Sequence, residues 1–246
     1  MLLAMVLTGC MTDVVTNSAL ERNKNPEKAI SSYVAAGMFY LKSGDLAMAD
    51  RKLRKAYELS PSSPEVNNAL ALLYSIEGEP DEVEQFYRDA IKFRPDYSAA
   101  RNNYASFLYK QGRFSEAKEQ LFVVIKDYAY VKRHQSLESL GYCYLSLKDK
   151  KKAETYFLKA IKRNPKMGRS MLELAEIYFD QKKYKLSEHY LSQFDKISAP
   201  TPRQLWLGVR LQRMLGDEHK LASFELALKN LFPDSHQYDV YKESLQ

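Results

Sequence analysis

The sequence lacks the motifs from which most enzyme active sites are built. Its four histidines are scattered along the chain, and none has a second ligand at the spacing typical of a metal site. It contains neither a glycine-rich phosphate-binding loop nor a G-x-S-x-G nucleophile motif. We therefore expect that the protein is not an enzyme, that it binds no metal or other cofactor, and that it has no small-molecule substrate.

Cysteine, glycine and proline are also scarce. Only two of the 246 residues are cysteines, Cys10 and Cys143, so disulfide bonds are not expected to hold the fold together. Cys143 lies between two tyrosines in a predicted helix and is expected to be a small core residue. Glycine and proline occur nine times each, and this composition agrees with a predominantly helical fold.

What the sequence does contain is an internal repeat of 34 residues. In one copy, apolar residues at spacings of three and four predict a helix from Ile30 to Ser43, which Gly44 ends. A second helix is predicted from Ala47 to Glu58. One helix pair cannot bury its apolar face alone, so neighbouring pairs must stack. The first two copies align Gly37, Tyr40, Gly44, Ala49, Leu53, Ala56 and Pro61 with Ala71, Tyr74, Gly78, Val83, Tyr87, Ala90 and Pro95.

These positions resemble the tetratricopeptide repeat, in which small, aromatic, glycine and proline residues recur at the same offsets. The third copy has Ala129 where the proline would fall, and the fifth has Lys182 in place of glycine and Ser187 in place of alanine. The resemblance implies an all-α fold, a right-handed superhelical solenoid of about six repeats over residues 30–233. The expected repeats are 30–63, 64–97, 98–133, 134–167, 168–201 and 202–235, and residues 234–246 are expected to form a C-terminal tail or capping segment.

The N-terminus reads as the end of a secretion signal. An apolar run too short to span a bilayer ends in Leu7-Thr8-Gly9-Cys10, which resembles the bacterial lipoprotein box. That resemblance implies a signal peptide at residues 1–9, acylation of Cys10 and, because Met11 is not aspartate, sorting to the outer membrane. No Lys or Arg precedes the run, which favours a true start a few residues upstream. A polar tether at 10–29 could then hold the repeats up to roughly 60 Å from the lipid. The alternative is an ordinary start with a chance cysteine.

Charge is distributed unevenly along the chain. Residues 1–123 hold 15 Lys and Arg against 16 Asp and Glu, whereas residues 124–246 hold 22 against 15. Part of this excess lies in the turns of the fourth and fifth repeats, which predict a basic edge able to contact anionic lipid or an acidic partner. A solvated, solubilising turn is the alternative. The lysines concerned are Lys148, Lys150, Lys151, Lys152, Lys182, Lys183 and Lys185.

A stack of helix pairs offers a concave groove lined by the first helix of each pair, and this groove is the predicted partner site. Asn68 and Asn102 share one register position, so their amides are expected to hold the backbone of a bound peptide, with local surface polarity as the alternative. The groove lacks a basic stripe, so nucleic acid is not an expected partner. The predicted groove residues are Val34, Met38, Leu41, Asn68, Leu72, Asn102, Ser106 and Tyr109, and the register continues through Glu138, Tyr142, Leu145, Arg169, Leu172, Glu176 and Phe179.

The run from Asn102 to Ala117 allows a narrower match. Together with a two-residue insertion after it and the segment Leu140-Gly141-Tyr142-Cys143, it resembles the type IV pilus biogenesis and stability lipoproteins, the pilotins of the pilus secretin. The resemblance implies an outer-membrane lipoprotein that faces the periplasm and binds the secretin subunit, promoting its localisation, its multimerisation and the stability of the pilus. The alternative is a lipid-anchored scaffold for another envelope machine, such as outer-membrane protein assembly or the synthesis or hydrolysis of peptidoglycan.

Overall fold

The structure is a computed structural model that describes residues 25–245. Thirteen α-helices and no strand lie in that range, which confirms the predicted all-α fold. None of these helices is long and apolar enough to cross a membrane. The predicted signal peptide, Cys10 and most of the tether lie outside the described residues. The helices are α1 Pro26–Ser43, α2 Leu46–Leu59, α3 Pro64–Glu77, α4 Pro80–Phe93, α5 Ser98–Lys110, α6 Phe114–Val124, α7 Arg133–Ser146, α8 Lys150–Arg163, α9 Gly168–Asp180, α10 Tyr184–Asp195, α11 Pro202–Leu215, α12 Glu218–Leu231 and α13 His236–Glu243.

The helices follow one another as pairs joined by short turns, from α1 with α2 to α11 with α12. The first helix begins at Pro26, so residues 26–29, predicted to be tether, form its first turn. The side chain of Asn25 explains this start, because its Oδ1 accepts a hydrogen bond from the Lys28 backbone N–H at 3.0 Å. Proline at the first helical position gives up only an N–H that has no partner inside the helix.

The turn within each pair contains one residue in the left-handed region. Glycine fills this position in four pairs, but Lys148 has φ 64° and Lys182 has φ 59° in the fourth and fifth. A side chain with a Cβ is strained there, so these lysines keep the turn geometry at a cost in free energy. The glycines at the same position are Gly44, Gly78, Gly112 and Gly216.

Replacing Lys148 or Lys182 with glycine should therefore stabilise the fold. We expect the free energy of unfolding to rise by about 0.5 to 1 kcal/mol for each change, measured by urea unfolding with circular dichroism. Lys151→Gly, in the first turn of α8, is the matched control, since a glycine in ordinary helical geometry should lower stability by about 0.5 to 1 kcal/mol. A loss of stability in Lys148→Gly as large as that in Lys151→Gly would show that the left-handed geometry is not strained.

Of the described residues, 25–107 form one compact unit. The side chain of Leu53 in α2 is fully buried and lies against Gly37 in α1. A Cβ built on Gly37 would stand 2.5 Å from Leu53 Cδ2, closer than real atoms approach, so only glycine lets these two helices pack at this distance. Further along, the ring of Tyr87 packs against Tyr104 and Phe107, with centroid distances of 5.7 and 6.4 Å.

Residues 108–245 form the second compact unit. Gly141 in α7 and the fully buried Phe157 in α8 repeat the same close approach, with a Cβ on Gly141 falling 2.4 Å from Phe157 Cε1. Ser187 is also fully buried, at the position where the repeat pattern has alanine. Its hydroxyl donates to the Ala175 carbonyl oxygen at 2.8 Å, so the polar group is satisfied inside the core.

The last helix of this unit, α13, packs against α11. The rings of Trp206 and Tyr241 meet edge to face at 6.3 Å. Arg213 extends its guanidinium over Tyr241 and donates to Ser244 Oγ at 3.0 Å and to Glu225 Oε1 at 3.2 Å. The segment after residue 234 therefore packs on α11, the first helix of the sixth helix pair.

Candidate partner-binding surfaces

In the N-terminal unit, the predicted groove residues differ in how much of each side chain is accessible. Val34 and Leu41 are half-buried and pack against the core cluster that contains Leu53. Leu72 is half-buried as well. Met38 is 37% exposed and Ser106 is exposed, so they are the more accessible groups of the predicted set in this unit.

The two asparagines predicted to hold the backbone of a bound peptide differ in their surroundings. Asn68 is only 8% exposed, and its Oδ1 accepts a hydrogen bond from Asn103 Nδ2 at 3.0 Å. Asn102, which shares the register of Asn68, is half-buried. The amide link between successive first helices is therefore made by Asn68 and Asn103. Sequence reasoning missed Asn103, although the Asn102-Asn103 pair was visible in the chain.

In the C-terminal unit, Tyr109 is half-buried and already has protein neighbours. Its hydroxyl shares a hydrogen bond with Ser146 Oγ at 3.0 Å, and its ring meets Phe114 edge to face at 5.0 Å. A partner would contact the remaining accessible face of the ring.

In α7, α9 and α11, the positions equivalent to the predicted groove residues include arginines that lie over aromatic rings. The guanidinium of Arg169 lies 4.8 Å from the centre of the Tyr142 ring. Arg210 lies 4.8 Å from the Phe179 ring and 5.6 Å from that of Trp206. Arginine held over an aromatic face offers donors to a partner while the ring limits its motion. Trp206 and Arg210 were not among the predicted residues, but the 34-residue offset from Leu172 and Glu176 identifies them.

Carboxylates hold Arg203 and Arg210 in place. Arg203 makes two hydrogen bonds to Glu173, at 2.6 and 2.9 Å, and lies 3.4 Å from Glu176. Arg210 binds the other oxygen of Glu176 at 3.2 Å. The hydrogen bond to Glu173 raises the pKa of the Arg203 guanidinium. This surface therefore presents alternating charges on fixed side chains.

Two polar groups beneath this surface are shielded from water. Glu138 is 9% exposed and accepts a hydrogen bond from Ser170 Oγ at 2.8 Å. Burial raises the pKa of Tyr142 to about 12, so its phenol remains neutral at physiological pH. The hydrogen bond between Glu138 and Ser170 connects α7 to α9.

All seven lysines of the predicted basic edge are exposed. Three of them have a carboxylate partner: Lys150 with Asp180 at 2.6 Å, Lys152 with Asp149 at 3.1 Å and Lys185 with Glu188 at 3.4 Å. The positive charge of this edge is therefore partly neutralised within the protein. Lys148 and Lys182, at the left-handed turn positions, form no salt bridge with the described residues.

Among residues 25–245, no group of three or more His, Cys, Asp and Glu side chains is arranged to hold a metal ion. The surfaces above consist of exposed aliphatic groups, arginines stacked on aromatic rings and paired carboxylates. Such arrangements bind other proteins through shape, hydrogen bonds and charge.

Comparison with known proteins places the chain in a family. Tetratricopeptide-repeat patterns match residues 30–63, 75–141 and 134–167. The type IV pilus assembly protein PilF of Pseudomonas aeruginosa is 34% identical over 241 residues, which cover 98% of this chain and 95% of PilF. The chain belongs to the PilF family of tetratricopeptide-repeat proteins.

The solved structure of Pseudomonas aeruginosa PilF agrees with this assignment. It superimposes with a TM-score of 0.84 at 32% identity, over 89% of this chain and 98% of the chain in that structure. The crystal structure of PilW, described as a widely conserved type IV pilus biogenesis factor, superimposes with a TM-score of 0.74 at 20% identity, over 86% of this chain and 97% of PilW. The likeness to PilW concerns the fold alone.

Proposed function

We propose that this protein acts in type IV pilus biogenesis as an outer-membrane lipoprotein that faces the periplasm. Its repeats would bind the secretin subunit and help it to reach the membrane, form its ring and support a stable pilus. The proposal treats the protein as an interaction scaffold without catalytic activity. The observation that carries it is the 34% identity to the type IV pilus assembly protein PilF over 98% of this chain and 95% of PilF.

In this proposal, the predicted lipid anchor determines where the protein is located, and the surfaces of the repeats determine which partner it binds. Acyl chains on Cys10 would fix the protein at the membrane, because two or more chains hold a protein there stably. Anchoring raises the effective concentration of the repeats next to a membrane-inserting partner without any chemistry. Specificity would come from the first-helix register, where Met38 and Ser106 are accessible in the N-terminal unit and Arg169 and Arg210 in the C-terminal unit.

The first test is retention of purified secretin subunit by the immobilised full chain at low salt. We expect retention by the unaltered protein and a loss of about tenfold in affinity for Met38→Glu combined with Ser106→Glu, since two buried charges oppose docking. Ala47→Glu combined with Ser115→Glu is the matched control, because both residues are exposed on second helices. Secretin that passes through the unaltered protein, even when present in excess, would refute the proposed partner.

The anchor is tested separately by intact mass and membrane fractionation. Protein taken from membranes should carry acyl chains, and Cys10→Ala should move it to the soluble fraction. Secretin binding in vitro should persist in Cys10→Ala, because the repeats are unchanged. Unacylated protein in the wild type would refute the lipoprotein part of the proposal and leave the binding part to the retention experiment.

A further inference from the structure

A cleft in the C-terminal unit lies apart from the first-helix register. It is bounded by α10, α11 and α12 and contains two neighbouring cavities of about 480 and 380 Å³. Both cavities are lined by Asp195, Lys220 and Phe224. On α11 the cleft uses Gln204 and Gln212, which are not positions of the predicted groove.

Two glutamines that line this cleft each have a side-chain oxygen without a hydrogen-bond partner among the described residues. Gln204 and Gln212 are each 2% exposed, and the Oε1 atom of each is buried without a hydrogen bond among the described residues. Native proteins rarely leave buried acceptors unpaired, because the lost hydrogen bond to water is not replaced. Two such atoms on one helix, both in residues that line a cleft, indicate that donors from a ligand complete the site.

Asp195 supplies a negative charge to the same place. Gln204 Nε2 donates to its Oδ1 at 2.7 Å. The residue is exposed by its accessible surface, yet neighbouring protein atoms remove enough water from the carboxylate to raise its pKa to about 6. No cation within the described residues forms a salt bridge with Asp195. A cationic ligand would therefore gain an available anion.

Three of the other charged groups that line the cleft already form salt bridges. Lys220 of α12 binds Glu188 at 2.8 Å and Asp217 at 3.3 Å. Lys185 of α10 also binds Glu188, at 3.4 Å. The remaining titratable groups that line the cleft are His189 and Lys196.

The smaller cavity is largely apolar beside Asp195. Leu205 and Phe224 line it together with Pro200 and Ala227. A ligand that fits both the apolar cavity and the Asp195 carboxylate has an aliphatic stem and a cationic head with several hydrogen-bond donors. Arginine has this form, since its methylenes pack on apolar surface while its planar guanidinium presents five N–H groups in a fixed array. Lysine has a stem of similar kind but a compact, more strongly hydrated head.

We propose that this cleft binds an arginine side chain presented by a protein partner. The guanidinium pairs with the Asp195 carboxylate and donates to Gln204 Oε1, and the methylenes lie against Leu205 and Phe224. Gln212 follows Gln204 by eight residues, roughly 12 Å along the helix, so its oxygen accepts from a neighbouring residue of the same partner. The site is independent of the secretin proposal and stands whichever partner uses it.

The test uses the full chain and the capped tripeptide acetyl-Gly-Arg-Gly-amide, with citrulline and lysine tripeptides as probes of charge and shape. Binding is followed by NMR shifts of the Gln204 side-chain amide. We expect saturable shifts with the arginine peptide and binding that is weaker by about tenfold for citrulline, which keeps the shape but lacks the charge. The lysine peptide should also bind more weakly than arginine. Equal binding of citrulline, equal binding of lysine, or shifts confined to other regions would each overturn the proposal.

Asp195→Asn separates the charge from the fold. Asparagine keeps an oxygen for Gln204, so the variant should melt at or above the temperature of the unaltered protein but lose about tenfold in arginine affinity. Asp234→Asn, which removes an exposed carboxylate elsewhere in the C-terminal unit, should bind normally. Lowering the pH through 6 should weaken arginine binding more in the unaltered protein than in Asp195→Asn, since His189 remains in both. Unchanged affinity in a folded Asp195→Asn would refute the assignment.

Discussion

Gly141→Leu should remove about 3 kcal/mol from the free energy of unfolding of the C-terminal unit. At Gly141 a Cβ would lie between 2.4 and 2.7 Å from three atoms of the Phe157 ring. That ring is fully buried in the core, so it has no open space into which it can move. The insertion must separate α7 from α8 or force the ring out of its rotamer. Urea unfolding followed by circular dichroism should show a clear fall in the midpoint.

Two variants test whether the contact with Phe157 is the cause. Gln135→Leu introduces the same side chain at an exposed position of α7 and should change stability by less than about 0.5 kcal/mol. Phe157→Ala alone should cost about 3 to 5 kcal/mol, because it leaves a cavity. Combined with Gly141→Leu it should cost less than the sum, since the new leucine fills that cavity. Additive losses would contradict the predicted contact.

Tyr87→Ala should destabilise the N-terminal unit by about 3 to 5 kcal/mol. Tyr87 is 2% exposed and lies at the centre of an aromatic cluster with Tyr104 and Phe107. Removing the ring leaves both neighbours beside a void that the helices cannot fully close. Thermal and urea unfolding of the full chain should both report the loss.

Tyr87→Phe is the matched control for this prediction. The Tyr87 hydroxyl makes no hydrogen bond with the described residues, and burial raises the pKa of its phenol, so the group stays neutral. Loss of the hydroxyl should therefore change stability by less than about 1 kcal/mol. A phenylalanine variant as unstable as the alanine variant would show that the hydroxyl, and not the ring, holds the cluster.

The helix pairs were predictable because their chemistry repeats. Gly44 and Gly78 mark the end of each first helix in the sequence, and both adopt the left-handed geometry that this role requires. The prediction of a turn also holds in the two repeats that lack this glycine, since Lys148 and Lys182 adopt the same left-handed geometry. The regular spacing of the repeat is therefore a stronger predictor of the helix pairs than any single residue, because each pair has to pack against its neighbours in the same way.

The contacts of the candidate surfaces were less predictable. Register places Asn68 and Asn102 in line, but it does not reveal that Asn103 donates a hydrogen bond to Asn68, because that contact depends on rotamers and on the spacing between helices. Periodicity likewise predicts Val34 as a groove residue, yet the Val34 side chain packs partly against the core. The cleft at Asp195 has no counterpart in the repeat pattern, so nothing in the sequence distinguished its glutamines from surface residues.

Cys143 has a practical consequence for spectroscopy. Its side chain is fully buried, and burial raises the pKa of the thiol to about 11, so the thiolate that reacts with maleimides is scarce at neutral pH. In a version of the chain that starts after Cys10, cysteines introduced on the surface would be labelled with fluorophores or nitroxides while Cys143 stays unmodified. One label in each compact unit would then report the distance between the units in solution, without background from the native sulfur.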